Sequence, residues 1–186
     1  MQVGDVQQAG GVAGRLEDRQ GGHRGVDAAD VADQFLQLIG VPAVVVGDAA
    51  RVTEAAARFI EWLETIPAHG PIGLVGFSQG ASIAIQAMRL DPGRFAFLVN
   101  LSGYAAPGEL PGDPLLAERR PPAFWGRGTH DDVLPEALIE HTIQWLPGHV
   151  DLSGRVYQGL THSVSQQEVE DVRIFLEKRL AQMASD

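Results

Sequence analysis

Residues 73 to 82 suggest the architecture of this chain, and they read Gly73-Leu74-Val75-Gly76-Phe77-Ser78-Gln79-Gly80-Ala81-Ser82. The apolar run that ends at Phe77 is typical of a buried strand, and apolar residues at helical spacing follow Ser78. A serine with glycines two positions away on both sides marks a sharp turn from strand to helix. We predict that Gly76 and Gly80 are both small so that strand and helix can approach closely.

This turn also has chemical consequences. It presents the Ser78 hydroxyl at the end of the strand, where the oxygen can act as a nucleophile. It directs the backbone N–H of Gln79 toward the position where negative charge develops during acyl transfer, so Gln79 is the predicted oxyanion-hole residue. The alternative is that these small residues only form a turn between a strand and a helix and that Ser78 has no catalytic role. A base and an acid near Ser78 would distinguish the two interpretations.

Composition restricts the class of protein. The 186 residues fit one domain with a sizeable core, and the formal net charge of −10 argues against a nucleic-acid partner or an anionic membrane surface. No apolar run is long enough to span a bilayer, and the polar residues after Met1 do not resemble a signal peptide. The absence of cysteine excludes disulfides, thiolate metal sites and a cysteine nucleophile. These features together favour a cytoplasmic location.

Strand-like segments alternate with helix-like segments after residue 51. Besides the strand before Ser78, the apolar runs predict strands at Phe95–Leu101, Pro122–Gly126 and around Arg155–Tyr157. Amphipathic spacing and capping signals predict helices over Val52–Leu63, after Ser78, over Leu115–Arg119, from Pro135 to Trp145 before Pro147-Gly148, and from a Ser165/Glu168 capping box to about Met183. The alternation predicts an α/β fold with a doubly wound, mostly parallel sheet.

Three reactive side chains follow the predicted strands: Ser78, Asp131 and His162. In open α/β sheets the chemistry lies at the carboxyl ends of the strands. The chain order of serine, then acid, then histidine is that of α/β-hydrolases. In this arrangement Ser78 attacks an acyl carbon, and His162 takes the serine proton and later gives it to the leaving group. Asp131 orients the imidazole and stabilises its charged form.

Each of these residues has an alternative interpretation. Asp131 could cap the helix that Pro135 begins, and His162 could be an ordinary loop histidine. Asp132 is a rival acid, whereas His130 is a poor base because it adjoins the acid and the two side chains would diverge. A metal site made of His130, Asp131 and Asp132 is disfavoured because adjacent residues rarely converge on one ion, so we predict no metal.

Ser102, Gly103 and Trp125 are candidate substrate-binding residues. Ser102 and Gly103 follow the second predicted strand, and Trp125 lies in the third. Because the chemistry of open α/β sheets lies at the carboxyl ends of the strands, Ser102 and Gly103 could line the acyl pocket. The alternative is that Ser102 and Gly103 simply end a strand.

These residues resemble a known family. From about Arg51 to Leu180 the chain resembles the phospholipase/carboxylesterase family of α/β-hydrolases, which includes acyl-protein thioesterases. Four motifs carry the resemblance in order: Gly76 to Ala81, Leu101 to Tyr104, Gly128 to Pro135, and Gly159 to Val164. The resemblance implies a lidless serine esterase that acts on small-molecule carboxylic esters or acyl thioesters and requires no cofactor. It also implies Ser78, Asp131 and His162 as the catalytic triad.

Residues 1–48 depart from the family pattern. Family members begin with an apolar strand that leads into a His-Gly motif, and the loop there supplies a second oxyanion N–H. Here only His23-Arg24-Gly25 resembles that motif, and no apolar strand precedes it. We expect an atypical segment over residues 1–48, irregular or disordered to about residue 25, and a catalytic domain over 49–186 whose sheet is shortened or altered at its N-terminal edge. One hypothesis is a misplaced start or a shifted reading frame.

Three functions follow from these patterns. The first is a serine hydrolase that cleaves carboxylic esters or acyl thioesters through an acyl-enzyme on Ser78. The second is an α/β-hydrolase-like protein with impaired catalysis, because loss of one oxyanion donor costs about 10² to 10³ in kcat. The third is a peptidase or lipase of the same fold.

Overall fold

A four-stranded parallel sheet forms the centre of the protein in a computed structural model that describes residues 46–67 and 70–184. The strands lie side by side in chain order, and each neighbouring pair is parallel. Their bounds are β1 Ile72–Phe77, β2 Phe95–Leu101, β3 Pro122–Gly128 and β4 Asp151–Tyr157. The structure confirms the predicted α/β class with a parallel sheet, and β3 and β4 are longer than the sequence predicted.

Helices precede, connect and follow these strands. Within the described residues their bounds are α1 Ala49–Glu64, α2 Gln79–Leu90, α3 Asp113–Arg119, α4 Glu136–His149 and α5 Gln166–Met183. Asp48 caps α1 by accepting a hydrogen bond from the Arg51 N–H, and Ser165 caps α5 by accepting one from the Glu168 N–H. The hydrogen bond from the Glu168 N–H to Ser165 Oγ at 3.1 Å is the first half of the predicted capping box.

The two faces of the sheet pack against different helices. One face contributes Leu74, Leu98 and Trp125 to a core that also contains buried residues of α1 to α4. The opposite face contributes Phe97, Val99 and Phe124, which pack against Phe175 and its neighbours on α5. Helices therefore cover both faces, as expected of a doubly wound sheet.

In the described part of the chain, β1 pairs only with β2, and Val75 on β1 is 61% exposed. The predictions made for the segment before residue 46 lie outside the described residues, as does the His23-Arg24-Gly25 motif. The altered N-terminal edge therefore stays a prediction. No described helix combines the length and the apolar composition that crossing a bilayer requires.

The C-terminal end of α4 differs from the prediction. The helix was predicted to run from Pro135 to Trp145, but it begins at Glu136 and continues through Pro147 to His149. Proline lacks the N–H that would bond the carbonyl four residues earlier. The carbonyls of the final helical turn also need donors from outside the helix. Arg120 supplies such donors, because its guanidinium bonds the carbonyl oxygens of Pro147, Gly148 and Val150.

A buried ion pair, which sequence patterns did not indicate, ties α2 to α3. Arg89 is completely buried, and its Nε and Nη2 donate to the two carboxylate oxygens of Asp113 at 2.8 Å. Arg89 Nη1 also donates to the Ala106 carbonyl at 2.7 Å. Burial alone would raise the pKa of Asp113, but the hydrogen bonds and charge of Arg89, with the Leu110 N–H, lower the pKa overall.

We expect Arg89→Met to lower the free energy of unfolding by about 3 to 5 kcal/mol, because it leaves a buried carboxylate without its partner. The exposed pair of Arg58 and Glu54 on α1 provides the control, and Arg58→Met should change stability by less than about 1 kcal/mol. Urea unfolding at neutral pH measures both. Because the folded-state pKa of Asp113 is lowered, its stabilisation should be present above its ordinary pKa of 3.8 and be lost as the pH falls below it. Equal losses in the two variants would contradict this account.

Candidate active site

The turn between β1 and α2 has the geometry of a nucleophile elbow. Ser78 has φ +53°, an unfavourable value for a residue with a side chain. Its N–H donates to the Leu101 carbonyl of β2 at 2.8 Å, and its own carbonyl accepts from the N–H groups of Ala81 and Ser82 at 3.1 Å. These bonds hold the strained residue between the strand and the helix.

The two glycines of the motif play different roles. A Cβ on Gly76 would lie 2.5 Å from the backbone nitrogen of Ala81, so strand and helix can approach only if residue 76 lacks a side chain. A Cβ on Gly80 would meet nothing within 4 Å. The prediction that close approach requires both glycines is therefore correct for Gly76 and wrong for Gly80, because α2 carries residue 80 on its exposed side.

This difference predicts opposite effects for a matched pair of substitutions. Gly76→Ala should lower the free energy of unfolding by about 1 to 3 kcal/mol through overpacking. Gly80→Ala should leave stability unchanged or raise it by up to about 1 kcal/mol, since alanine restricts the unfolded chain and favours helix. Thermal and urea unfolding of the two variants measure the contrast. A loss of stability in Gly80→Ala as large as in Gly76→Ala would refute it.

The structure brings the three predicted reactive residues together. His162 Nε2 lies 2.7 Å from Ser78 Oγ, and His162 Nδ1 lies 2.8 Å from Asp131 Oδ2. The side chain of His162 is 12% exposed and that of Asp131 is 1% exposed. The Phe77 ring packs against the imidazole with 5.0 Å between ring centroids. A carboxylate can only accept, so Nδ1–H donates to Asp131, which leaves the Nε2 lone pair for the Ser78 hydroxyl.

Asp131 makes contacts with both the backbone and His162. Its Oδ1 accepts hydrogen bonds from the N–H groups of Val133 and Leu134 at 3.0 and 3.1 Å, so it does cap the turn that precedes α4. Its other oxygen is occupied by His162. The backbone bonds fix the carboxylate, and the carboxylate in turn fixes the orientation of the imidazole.

The rival side chains lie elsewhere. Asp132 is exposed, and His130 Nδ1 contacts the Thr129 hydroxyl at 3.0 Å. His141 and His149 belong to α4 and line a cavity whose lining does not include Ser78, and His149 Nδ1 contacts the Trp145 carbonyl at 2.8 Å. Residues 46–67 and 70–184 contain no group of three histidine or acidic side chains arranged to hold a metal ion.

The predicted substrate-binding residues lie beneath the elbow instead of lining an open surface. Ser102 is fully buried at φ +50°, and a Cβ on Gly103 would lie 2.4 Å from the Ala81 Cβ. Trp125 is 7% exposed, and its indole Nε1–H donates to the Gly103 carbonyl at 3.2 Å. This burial favours a supporting role over direct contact with a substrate. None of the three lines the cavity of about 570 Å³ between the 108–114 segment and α4.

Two residues that sequence reasoning missed brace this region. Asn100 Oδ1 accepts from the Gly103 N–H at 2.8 Å, and Ser82 Oγ accepts from the Tyr104 N–H at 3.0 Å. The sequence contained a signal for Asn100, because a polar amide interrupts the apolar run Phe95–Leu101. A buried polar residue in an apolar strand requires a local partner, and here the partner is the backbone that follows β2.

The loop that carries His162 packs tightly against the end of β3. A Cβ on Gly128 would lie 1.9 Å from the Leu160 carbonyl oxygen, so only glycine admits the loop there. The Leu160 carbonyl also accepts from the His130 N–H at 2.9 Å, and the Gly159 N–H donates to the Thr129 hydroxyl at 2.8 Å. The acid-bearing and histidine-bearing loops are therefore joined directly.

Gln79 is the first residue of α2 and directly follows the nucleophile. Helix N-termini favour developing negative charge, which supports its N–H as one oxyanion donor. The second donor was expected to be missing from residues 1–48, nearly all of which lie outside the described part. That expectation stays a prediction.

A parallel sheet with a serine, a histidine and an acid linked at the carboxyl ends of its strands defines the α/β-hydrolase class. A profile of the phospholipase/carboxylesterase family matches residues 51–180. The chain belongs to this family.

Relatives in sequence agree with the family assignment, and solved structures agree with the fold. Acyl-protein thioesterase 1 of Saccharomyces cerevisiae is 32% identical over 110 residues, which are 57% of this chain and 48% of that protein. The chain therefore spans about half the length of the relatives that it matches in sequence. A Bacillus cereus carboxylesterase superposes with a TM-score of 0.60 at 17% identity, over 71% of this chain and 63% of that one. Arabidopsis thaliana SOBER1 superposes with a TM-score of 0.59 at 22% identity, over 72% and 66%. These two likenesses concern the fold alone.

Proposed function

We propose that the protein is a serine hydrolase that cleaves carboxylic esters or acyl thioesters through an acyl-enzyme on Ser78. The observation that carries the proposal is the unbroken hydrogen-bond chain from Asp131 through His162 to Ser78. Family membership and the sequence similarity to acyl-protein thioesterases support the choice of substrate class. The expected substrates are small-molecule esters or acyl thioesters, and the cytoplasmic location predicted from composition stays part of the proposal.

Acylation uses the triad in its observed hydrogen-bonding order. Ser78 Oγ attacks the acyl carbon while its proton moves to His162 Nε2, and the charged imidazole is stabilised by Asp131. The negative charge on the carbonyl oxygen is met by the Gln79 N–H. When the tetrahedral intermediate collapses, His162 gives the proton to the departing alkoxide or thiolate, and the acyl group remains on Ser78.

Deacylation repeats these steps with water. His162 Nε2 accepts a proton from water, whose oxygen attacks the Ser78 ester. Collapse of the second tetrahedral intermediate releases the carboxylic acid and returns the proton to Ser78 Oγ. The buried carboxylate of Asp131 keeps the imidazole in one orientation through both half-reactions, because its other oxygen is tied to the backbone.

The second candidate is an α/β-hydrolase-like protein with impaired catalysis. It is favoured by the departure of residues 1–48 from the family pattern, because that segment has no apolar run leading into a His-Gly motif. Ser78 would then retain an activating base while one oxyanion donor is missing, which costs about 10² to 10³ in kcat.

Covalent labelling by a fluorophosphonate separates the outcomes, because the reagent requires an activated serine. The expected result is a single adduct located at Ser78 by peptide mass spectrometry, with turnover of p-nitrophenyl butyrate and of an acyl thioester. Labelling with turnover slower by about 10² to 10³ than that of a carboxylesterase measured in parallel supports the impaired protein. If the folded chain shows no labelling and no turnover, both candidates are contradicted.

A further inference from the structure

The ring of Phe77 packs against the imidazole of His162, and the catalytic steps above do not use it. Phe77 is the last residue of β1 and directly precedes Ser78. The two ring centroids are 5.0 Å apart, and the ring planes are inclined by 43°. This separation lies within the range of favourable contacts between aromatic rings. The end of β1 therefore provides both the nucleophile and a surface for the base.

The imidazole of His162 also has a contact at each of its nitrogens. Nδ1 lies 2.8 Å from Asp131 Oδ2, and Nε2 lies 2.7 Å from Ser78 Oγ. His162 follows β4, which lies at the opposite end of the four-stranded sheet from β1. Phe77 and Ser78 therefore join the histidine loop to the strand of the nucleophile across the width of the sheet.

Formation of the acyl-enzyme removes one of these contacts. Ser78 Oγ is then bonded to the acyl carbon, and its proton has left with the alkoxide or thiolate, so no O–H remains to donate to His162 Nε2. The contacts with Asp131 and Phe77 do not involve Oγ, so they remain. A hydrogen bond at Nδ1 alone lets the Nε2 side of the imidazole swing, and the Phe77 ring limits that movement. The orientation of Nε2 matters most at this stage, because it must accept a proton from water that no covalent bond holds in place.

The alternative is that Phe77 only fills space. Its side chain is partly exposed, and Leu101 lies opposite it on β2. Packing alone would be served nearly as well by another apolar side chain of similar volume. Restraint of the imidazole depends on the ring, because pairs of aromatic rings gain energy beyond the area that they bury. The two roles therefore predict different results for substitutions that keep an apolar side chain and remove the ring.

We propose that Phe77 is a positioning residue whose ring holds His162 in place for the attack of water on the acyl-enzyme. In that step water gives a proton to Nε2 while its oxygen bonds to the acyl carbon, and the bond from that carbon to Ser78 Oγ then breaks as Oγ takes the proton back. The proposal rests on the proposed function for its effect on turnover, but not for its effect on the imidazole. It predicts that deacylation depends on the Phe77 ring more than acylation does, since Ser78 Oγ still contacts Nε2 when acylation begins.

The test compares the wild type with Phe77→Met and Phe77→Leu, which remove the ring, and with Phe77→Tyr, which keeps it. Phe59→Met is the matched control, because Phe59 on α1 is also partly exposed and its ring centroid lies 6.0 Å from that of Trp62. Circular dichroism establishes which variants fold. Rapid mixing with p-nitrophenyl butyrate measures acylation as the first turnover of p-nitrophenolate. Intact-protein mass spectrometry of quenched samples measures the decay of the butyryl-enzyme.

Acylation in Phe77→Met and Phe77→Leu should stay within about twofold of the wild type, because the Ser78 hydroxyl is still present in that step. Deacylation should be slower by about two- to tenfold, so kcat and KM should fall together while kcat/KM changes little. Phe77→Tyr should restore deacylation, and Phe59→Met should match the wild type in both steps. Equal slowing of the two half-reactions, unchanged deacylation without the ring, or failure of both variants without the ring to fold would overturn the proposal.

A second readout does not require turnover. Ser78→Ala removes the hydroxyl contact with Nε2, as the acyl-enzyme does, and the proton NMR resonance of the hydrogen between His162 and Asp131 reports whether the imidazole stays in place. We expect the resonance to persist in Ser78→Ala and in Ser78→Ala/Phe77→Tyr, and to broaden or disappear in Ser78→Ala/Phe77→Met. Its absence from folded Ser78→Ala, or its equal intensity in the two double variants, would overturn the proposal. If no form turns over ester, the proposed function fails, while the resonance still decides this proposal.

Discussion

Ser78→Ala is expected to lower kcat for p-nitrophenyl butyrate by about 10⁴ to 10⁶. The substitution removes the oxygen that lies 2.7 Å from His162 Nε2, so no acyl-enzyme can form. Residual turnover would come from binding and from oxyanion stabilisation of direct attack by water. Stability should change little, because alanine occupies the same strained backbone position and no packed apolar atoms are lost.

Initial rates and fluorophosphonate labelling measure this effect, with Ser153→Ala as the control. Ser153 lies on β4 opposite Phe124, and it is not in the proposed site. The control should retain both activity and labelling. Equal rates in wild type and Ser78→Ala would remove the basis for an acyl-enzyme mechanism, and labelling of folded Ser78→Ala at another serine would identify a different nucleophile.

Asp131→Asn is expected to lower kcat by about 10⁴, whereas Asp132→Asn should change it by less than about twofold. An amide at position 131 can still accept from the Val133 and Leu134 N–H groups, so the turn should persist. It cannot provide the carboxylate that orients His162 and stabilises the imidazolium. Asp132 is exposed and lies outside the hydrogen-bond chain.

This adjacent pair is informative because the two variants make the same change in chemistry at neighbouring positions. Steady-state kinetics measure kcat and KM, and circular dichroism establishes that both variants fold. A large loss in Asp132→Asn with full activity in Asp131→Asn would exchange the two roles and contradict the observed contact with His162 Nδ1. Comparable losses in both variants would point to a general effect of charge at this loop.

The local pattern of apolar and polar residues was sufficient to predict most of the secondary structure. The structure places β1, β2 and the core of α1 where the apolar residues predicted them. Buried residues recur at the period of a strand or a helix, so the sequence shows this pattern directly. The predicted end of α4 at Trp145 was wrong, because the helix continues through Pro147 to His149. The carbonyls of Pro147 and Gly148 are bonded by Arg120, which lies far away in the sequence.

The same distinction applies to the site. The motif around Ser78 and the predicted parallel sheet, which places the carboxyl ends of the strands at one edge, were enough to predict that Ser78, Asp131 and His162 converge. The burial of Trp125, the open space at Gly80 and the close approach of Leu160 to Gly128 could not be predicted in this way. Each depends on the distance between elements that are separate along the chain.

The sequence by itself therefore determined the α/β class, the position of the elbow and the three residues of the proposed triad. Strand and helix periodicity, together with the obligatory turn between them, are local properties that neighbouring residues specify. Only the tertiary structure decided which polar groups are buried together, as with Arg89 and Asp113. The cost or gain of burying a charge depends on atoms brought close by folding, and these atoms can come from any part of the chain.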